Sequence, residues 1–206
     1  MIKQYYQDLF IEKSWQTLIE LKKQIDFILI GGWAVYLYTK ALKSKDIDII
    51  VDYSELNLFR DKFGAYRNDR LKKYEVKQEG IDIDVYLPYF SELGLPVEEI
   101  VKHKSKIDTF TVLQKEMLMI TKQKAYLSRK ATIKGQKDKF DIIALLFGKD
   151  FDIKLYRKLL IEYKLTEYKK ILEDILSSTR EVTELNLNRH YFALEKKKIL
   201  IKLKNN

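Results

Sequence analysis

Two short segments alternate aspartate with aliphatic residues, and this alternation constrains the fold more than any other feature of the sequence. The first is Asp46-Ile47-Asp48, and the second is Ile81-Asp82-Ile83-Asp84. Residues i and i+2 of a β-strand project to the same face of a sheet. Each segment therefore predicts a strand with one acidic and one apolar face, inside an otherwise apolar half of the chain.

A glycine pair precedes the first acidic strand. Residues 26–30 predict a short buried strand that ends at Gly31-Gly32, and residues 33–42 predict a helix packed on that strand. Glycine lets the backbone approach a phosphate closely, and the N-terminus of a helix offers unpaired N–H groups to an anion. A tight strand–helix turn that binds no ligand is the alternative interpretation of the glycine pair.

The acidic strands together predict a metal site. Two carboxylates on one face raise each other's pKa unless a cation lies between them. Magnesium suits such a position because it takes oxygen ligands and is usually held by one or two carboxylates together with substrate phosphates. If the strands are neighbours, Asp46, Asp48 and Asp84 can hold two metal ions, with Asp82 in reserve because Asp84 lies deeper in the apolar run. For a single acidic strand, a polar face in water is the alternative.

The second half of the chain has a different pattern. From Gln114 onward proline is absent and apolar residues recur at helical spacing. The sequence therefore predicts an α+β fold, with a mixed β-sheet flanked by helices in a catalytic domain of residues 1–113. A C-terminal helical bundle follows in residues 114–206. One further strand is predicted at the sheet edge, from Ile107 to Leu113.

The net charge of +9 is concentrated in that second half. Residues 1–113 hold 17 Lys and Arg against 18 Asp and Glu, a net charge of −1, whereas residues 114–206 hold 22 against 12, a net charge of +10. This asymmetry predicts a polyanionic partner, a triphosphate or RNA. Lysines that only solvate helix faces are the alternative.

Composition excludes several classes of protein. Cysteine is absent, which rules out disulfides and thiolate metal sites and is typical of a cytoplasmic protein. No stretch approaches the roughly 18 uncharged apolar residues that a membrane span needs. We therefore expect no membrane association and, since no basic region followed by an apolar run begins the chain, no secretory signal.

At five positions the sequence resembles the DNA polymerase β-like nucleotidyltransferase superfamily, whose signature is a glycine pair, a helix, a D-x-D strand and a third carboxylate strand. The matching residues are Gly31, Gly32, Asp46, Asp48 and Asp84. Within that superfamily the chain looks most like the AbiEii-type nucleotidyltransferases, toxins of abortive-infection and toxin–antitoxin systems. The resemblance implies a nucleotidyltransferase-type sheet and an enzyme.

Two motifs of the second half support the AbiEii-like resemblance. Those proteins carry a Lys–Ala–Arg helix, matched here by Lys122, Ala125 and Arg129, and a K-D-x-x-D helix, matched by residues 137–141. Leu42 departs from the family, which often has arginine there, so Lys43 or Lys45 is expected to contact phosphate instead. The resemblance covers roughly residues 27–147.

The resemblance implies two-metal transfer of a nucleoside monophosphate from an NTP. Asp46 and Asp48 would bind both Mg²⁺ ions, or Mn²⁺ in their place, and Asp84 would bind the catalytic ion and help to deprotonate an acceptor hydroxyl. The expected nucleotide contacts are Gly31, Gly32, Ser44, Lys45, Lys122, Arg129, Lys137 and Asp138.

Several alternatives stay open at this point. Arg129 could instead form an interhelical salt bridge with Asp138 or Asp141. The acceptor could be RNA, with tRNA and a cognate antitoxin in a toxin-like role, or it could be a protein or a small molecule. The non-enzymatic hypothesis is that the protein is a catalytically inactive nucleotide-binding module.

Overall fold

The computed structural model describes residues 2–185 and 188–204. The chain divides into two compact units, Met1–Gln114 and Lys115–Asn206. This division lies one residue after the boundary predicted from the sequence. The assignment of catalysis to the first of these units stays a prediction.

The described residues of the first unit form one seven-stranded mixed sheet and four helices. The helices are α1 (Ile2–Gln24), α2 (Gly31–Thr39), α3 (Tyr53–Phe63) and α4 (Val97–Ile100). The strands are β1 (Ile28–Ile30), β2 (Ile47–Ile50), β3 (Tyr66–Asn68), β4 (Lys73–Gln78), β5 (Ile81–Tyr86), β6 (Lys104–Ile107) and β7 (Phe110–Leu113).

The sheet order is β3-β4-β5-β2-β1-β7-β6. Strand β2 runs parallel to β5 and β1 runs parallel to β7, whereas the other neighbours are antiparallel. Helices α1 and α2 contribute Leu18 and Trp33 to the core, both at most 1 % exposed. The indole Nε1 of Trp33 donates a hydrogen bond of 2.9 Å to Ser14 Oγ, which satisfies the one polar atom of that ring inside the core.

The prediction of a single edge strand from Ile107 to Leu113 is wrong. The chain forms a hairpin instead, because Asp108 turns it with a φ of +52° and allows β6 to fold back on β7. Strand β7 lies inside the sheet and buries Val112 and Leu113 beside β1, so β6 is the strand at the edge. Strand β3, on the opposite edge, was not predicted because Tyr66-Arg67-Asn68 has no apolar alternation.

The described residues of the second unit are helical. The helices are α5 (Lys115–Arg129), α6 (Ile133–Phe147), α7 (Ile153–Glu162), α8 (Glu167–Ser178) and α9 (Arg189–Lys204), with a 3-10 turn at Thr183–Leu185. Leu145, Tyr156 and Leu172 are fully buried in the core of this unit. The predicted α+β fold with a helical C-terminal part is thereby confirmed. Across the described residues, no helix combines the length and the apolar character needed to cross a membrane.

Gly135 lies inside α6 and not in the segment between α5 and α6. It is buried within the first turn of α6, which Thr132 caps by accepting a hydrogen bond of 3.1 Å from the Gly135 N–H. A Cβ atom at position 135 would lie 2.1 Å from the carbonyl oxygen of Arg129. Glycine is needed here because the end of α5 passes this close to the start of α6.

Candidate active site

Strands β2 and β5 are neighbours and run parallel, which brings the two acidic segments together. Their register pairs Asp48 with Asp84. Paired residues on adjacent strands point to the same side of a sheet, so these half-buried carboxylates share one face. Ile47 and Ile83 are fully buried on the other face. Asp46 lies one residue before β2 and is also half-buried.

Gly31 packs directly against the carboxylate of Asp48. It is the first residue of α2 and has a φ of +65°, a conformation that residues with a side chain rarely adopt. A Cβ atom here would lie 2.0 Å from Asp48 Oδ2 and 2.7 Å from Asp48 Cβ. Position 31 therefore admits only glycine without rearrangement. The start of α2, where Gly32 is buried, lies beside this carboxylate.

The environment of Asp84 disfavours its ionised form. Burial and then the negative charge of Asp48 raise the pKa of Asp84 to about 6, against the opposing effect of Lys73. The Lys73 ammonium Nζ lies 2.6 Å from Asp84 Oδ2. The pKa of Asp84 therefore lies close to neutral, the range in which a carboxylate works well as a general base.

A third carboxylate, that of Glu75, extends this face onto β4, and sequence analysis missed it. Glu75 is paired in register with Asp84, and its Oε1 lies 2.9 Å from Lys73 Nζ. Burial raises the pKa of Glu75, but hydrogen bonds from Lys73, Tyr66 and Asn68 lower it to about 2 overall. Glu75 is thus ionised and held by three donors.

The sequence does contain a signal for this pairing. The strands β4 and β5 are joined by the turn at Glu79-Gly80, and this turn places Gln78 opposite Ile81. The same register, followed away from the turn, places Glu75 opposite Asp84. The donors from β3 had no such signal, because that strand was not predicted.

Asp48 and Asp84 fit the protein part of a magnesium site. Within residues 2–185 and 188–204, no group of three or more His, Asp or Glu side chains is arranged so that it could hold a metal ion. Magnesium, however, commonly uses one or two carboxylates and takes its other ligands from substrate phosphates and water. The charge of Asp48 that disfavours ionised Asp84 is the repulsion that a cation relieves. The third ligand, Asp46, stays a prediction.

The other predicted residues of the first unit differ in exposure. Ser44 is buried, whereas Lys45 is exposed and its ammonium lies 4.8 Å from the ring centroid of Phe10. Asp82 is half-buried and is paired in register with Lys77. The nucleotide-binding roles of Ser44 and Lys45 and the reserve role of Asp82 stay predictions.

Three of the predicted residues of the second unit, Lys122, Arg129 and Asp138, lie in an ion cluster between α5 and α6. Arg129 donates from Nε and Nη2 to the two carboxylate oxygens of Asp138, at 2.7 and 3.0 Å. Lys122 Nζ lies 3.3 Å from Asp138 Oδ1 and 2.6 Å from Asp141 Oδ2. The structure therefore contains the interhelical salt bridge between Arg129 and Asp138, while Asp141 pairs with Lys122. Lys137, which directly precedes Asp138 in the sequence, is half-buried.

Because this cluster is largely buried, its ion pairs matter for the stability of the fold. The side chains of Lys122, Asp138 and Asp141 are at most 8 % exposed, whereas that of Arg129 is 39 % exposed. Asp141 makes an ion pair without hydrogen-bond geometry, and its Oδ1 has no hydrogen-bond partner within the described chain. A buried charge that loses its partner is strongly destabilising, so these four side chains depend on one another.

No protein-family model matches the chain, and no curated protein matches it at a significant level. Among solved structures, the chain is similar to the crystal structure of an antigenic nucleotidyltransferase-like protein from Paracoccidioides brasiliensis. The TM-score is 0.39 and the identity 16 %, with 84 % of this chain and 93 % of that chain covered. A likeness of this strength supports no conclusion about activity.

Proposed function

We propose that this protein is a magnesium-dependent nucleotidyltransferase that moves a nucleoside monophosphate from an NTP to an acceptor hydroxyl. The observation that carries the proposal is the pairing of Asp48 with Asp84 on parallel strands, with Gly31 packed against the Asp48 carboxylate. The two half-buried carboxylates suit a cation. The N-terminus of α2 beside them, which begins with glycine, suits a phosphate.

The chain's own residues have distinct roles in the proposed reaction. The acceptor oxygen attacks the α-phosphorus of the NTP, the bond from that phosphorus to the α,β-bridging oxygen breaks, and pyrophosphate leaves. Asp84 is proposed to accept the proton of the acceptor hydroxyl. Gly31 and Gly32 allow the backbone N–H groups that begin α2 to approach the triphosphate closely.

Magnesium, when bound, would neutralise the triphosphate and the charge that develops on the transferring group. Asp46 and Asp48 would hold two such ions, and Asp84 would contribute to the catalytic one. Mn²⁺ could replace Mg²⁺ because it also accepts carboxylate and phosphate oxygens. Ser44 and Lys45, which precede Asp46, are proposed as contacts to the triphosphate.

The helical unit supplies a second group of proposed nucleotide contacts. A planar guanidinium matches the geometry of a phosphate, and Arg129 is the most exposed member of the ion cluster. In this role Asp138, which also pairs with Lys122, holds Arg129 in place, and Lys137 adds a further positive charge.

RNA is the proposed acceptor, and tRNA in a toxin-like role with a cognate antitoxin is its most specific form. The supporting observation is the net charge of +10 on residues 114–206, because phosphate contacts dominate non-specific affinity for nucleic acids. A protein or small-molecule acceptor, and a nucleotide-binding module without catalysis, are the alternatives that the following experiment separates.

The test is transfer of label from α-³²P-labelled NTPs. Each of the four NTPs would be incubated with the protein and Mg²⁺, with and without total RNA, and the products separated on denaturing gels. Asp48→Asn removes the carboxylate charge at nearly constant volume and should abolish transfer. Asp26→Asn makes the same change at a side chain that is 98 % exposed and should leave transfer unchanged.

Each outcome discriminates between the hypotheses. Label on RNA supports the full proposal, whereas label on protein or on a small molecule supports transfer to a different acceptor. Intact NTP binding without transfer would favour the binding module and contradict the proposed enzyme. Full activity of Asp48→Asn would remove Asp48 from the site.

A further inference from the structure

Lys73 lies among the carboxylates of the sheet face. Its side chain is 12 % exposed, and its ammonium bridges Asp84 at 2.6 Å and Glu75 at 2.9 Å. These distances are those of strong charge-assisted hydrogen bonds. A single cation thus connects the proposed general base with a neighbouring carboxylate that is not part of the proposed metal site.

The two partners of Lys73 differ in how they are held. Glu75 also accepts hydrogen bonds from Tyr66 and Asn68, two residues of β3, so its carboxylate is fixed from the side away from β5. Asp84 instead lies between Glu75 and Asp48 in the register of the sheet. Glu75, Asp84 and Asp48 therefore form a row of three carboxylates on consecutive strands, and Lys73 neutralises the β4 end of this row.

We propose that Lys73 is a positioning residue, an internal ammonium counter-ion that holds Asp84 by Oδ2 and competes with the divalent ion for that carboxylate. When the ion binds, Lys73 gives up Asp84 and keeps Glu75. Glu75 is in this account the anchor of Lys73. The inference rests on the proposed function in one respect, namely that Asp84 binds the divalent ion.

This exchange keeps the acidic row ordered in both states. Without the ion and without Lys73, the three adjacent carboxylates would repel one another. With Lys73 in place, Asp84 keeps one defined orientation, and a positive charge remains within reach of Glu75 after the ion has taken Asp84. If the salt bridge between Lys73 and Asp84 had only a structural role, breaking it would leave the affinity for the ion unchanged.

The test is the affinity of the nucleotide-free protein for Mn²⁺, followed by the EPR signal of the free ion. Lys73→Met removes the competing ammonium and should tighten Mn²⁺ binding at least about tenfold, since one charge a few ångströms away in a partly buried site is worth about that factor. Lys73→Arg keeps the charge and should bind Mn²⁺ as the wild type does. Lys77→Met removes the same charge from an exposed position of the same strand and should change the affinity less than about twofold.

A second measurement uses the wild type and needs no variant. The ¹⁵N chemical shift of the Lys73 ammonium should change as Mg²⁺ is added. The midpoint of this change should coincide with the midpoint of metal binding. Unchanged affinity in Lys73→Met, or a Lys73 signal that stays constant through saturation with Mg²⁺, would overturn the inference. So would the absence of Mn²⁺ binding in both the wild type and Lys73→Met.

Failure of this inference is distinguishable from failure of the proposed function. Tighter Mn²⁺ binding by Lys73→Met together with no nucleotidyl transfer by the wild type would leave the Lys73 exchange standing and refute the enzyme. Transfer by the wild type together with unchanged Mn²⁺ affinity in Lys73→Met would refute the exchange alone.

Discussion

Replacing Gly31 with alanine should destabilise the protein far more than the same change at a comparable glycine. Gly31 has a φ of +65°, and an added Cβ would lie 2.0 Å from Asp48 Oδ2, whereas ordinary contacts begin at 3.4 Å. The left-handed conformation costs a residue with a side chain about 1–2 kcal/mol, and overpacking costs about 1–3 kcal/mol more. We therefore expect Gly31→Ala to lower the free energy of unfolding by about 2–5 kcal/mol.

Gly64 provides the matched control. Its φ is +63°, nearly that of Gly31, but an added Cβ would meet no atom within 4 Å. Gly64→Ala should therefore cost only the conformational part, about 1–2 kcal/mol. The free energies of unfolding would be measured by urea denaturation, followed by circular dichroism.

A double-mutant cycle assigns the extra cost to Asp48. In the background of Asp48→Gly, which removes the carboxylate and its Cβ, Gly31→Ala should cost about as much as Gly64→Ala does in the wild type. Equal costs for Gly31→Ala and Gly64→Ala in the wild type would refute the packing of Gly31 against Asp48, the geometry on which the proposed site depends.

Three further predictions concern stability. The pKa of Asp84, about 6, lies above its ordinary value of 3.8, so the folded state binds this proton more tightly and loses stability as the pH rises from about 4 to about 6. We therefore expect urea denaturation in EDTA to show that Asp84→Asn is up to about 3 kcal/mol more stable than the wild type at pH 8 but equally stable at pH 4. Equal stability of the two proteins at both pH values would contradict this. Lys122→Met leaves the buried carboxylate of Asp141 without its ion-pair partner and should cost about 3–5 kcal/mol, part of which Asp141→Asn should restore in the same background. Ser14→Ala leaves the buried Trp33 N–H without its acceptor and should cost about 1–3 kcal/mol in the same assay, and a cost near zero would mean that another acceptor replaces Ser14.

The parts of the fold that sequence predicted are those with strong local patterns. Alternation of aspartate and isoleucine predicted β2 and β5, and apolar residues at helical spacing predicted the C-terminal helices. Strand β3 has no such pattern, and its pairing with β4 depends on the sheet that β4 and β5 provide. The position of β7 beside β1 joins residues about 80 apart in the chain, such as Leu29 and Val112, which no local signal specifies.

The candidate site follows the same division. The meeting of Asp48 with Asp84 was a hypothesis that required the two acidic strands to be neighbours, and the structure places them side by side. Lys73 and Glu75 were missed because their environment requires the register of a hairpin and two donors from β3. In the helical unit, sequence predicted a choice of partners for Arg129, and only the packing of α5 on α6 selects Asp138.

The most direct test of the central claim is a crystal structure of the protein with Mn²⁺ and a non-hydrolysable α,β-methylene NTP. Anomalous scattering locates Mn²⁺ independently of the surrounding ligands. We expect two Mn²⁺ peaks beside Asp46, Asp48 and Asp84, one of them between the carboxylates of Asp48 and Asp84, and the triphosphate at the start of α2, beside Gly31. Mn²⁺ and the nucleotide bound elsewhere, with Asp84 still paired to Lys73, would contradict the account.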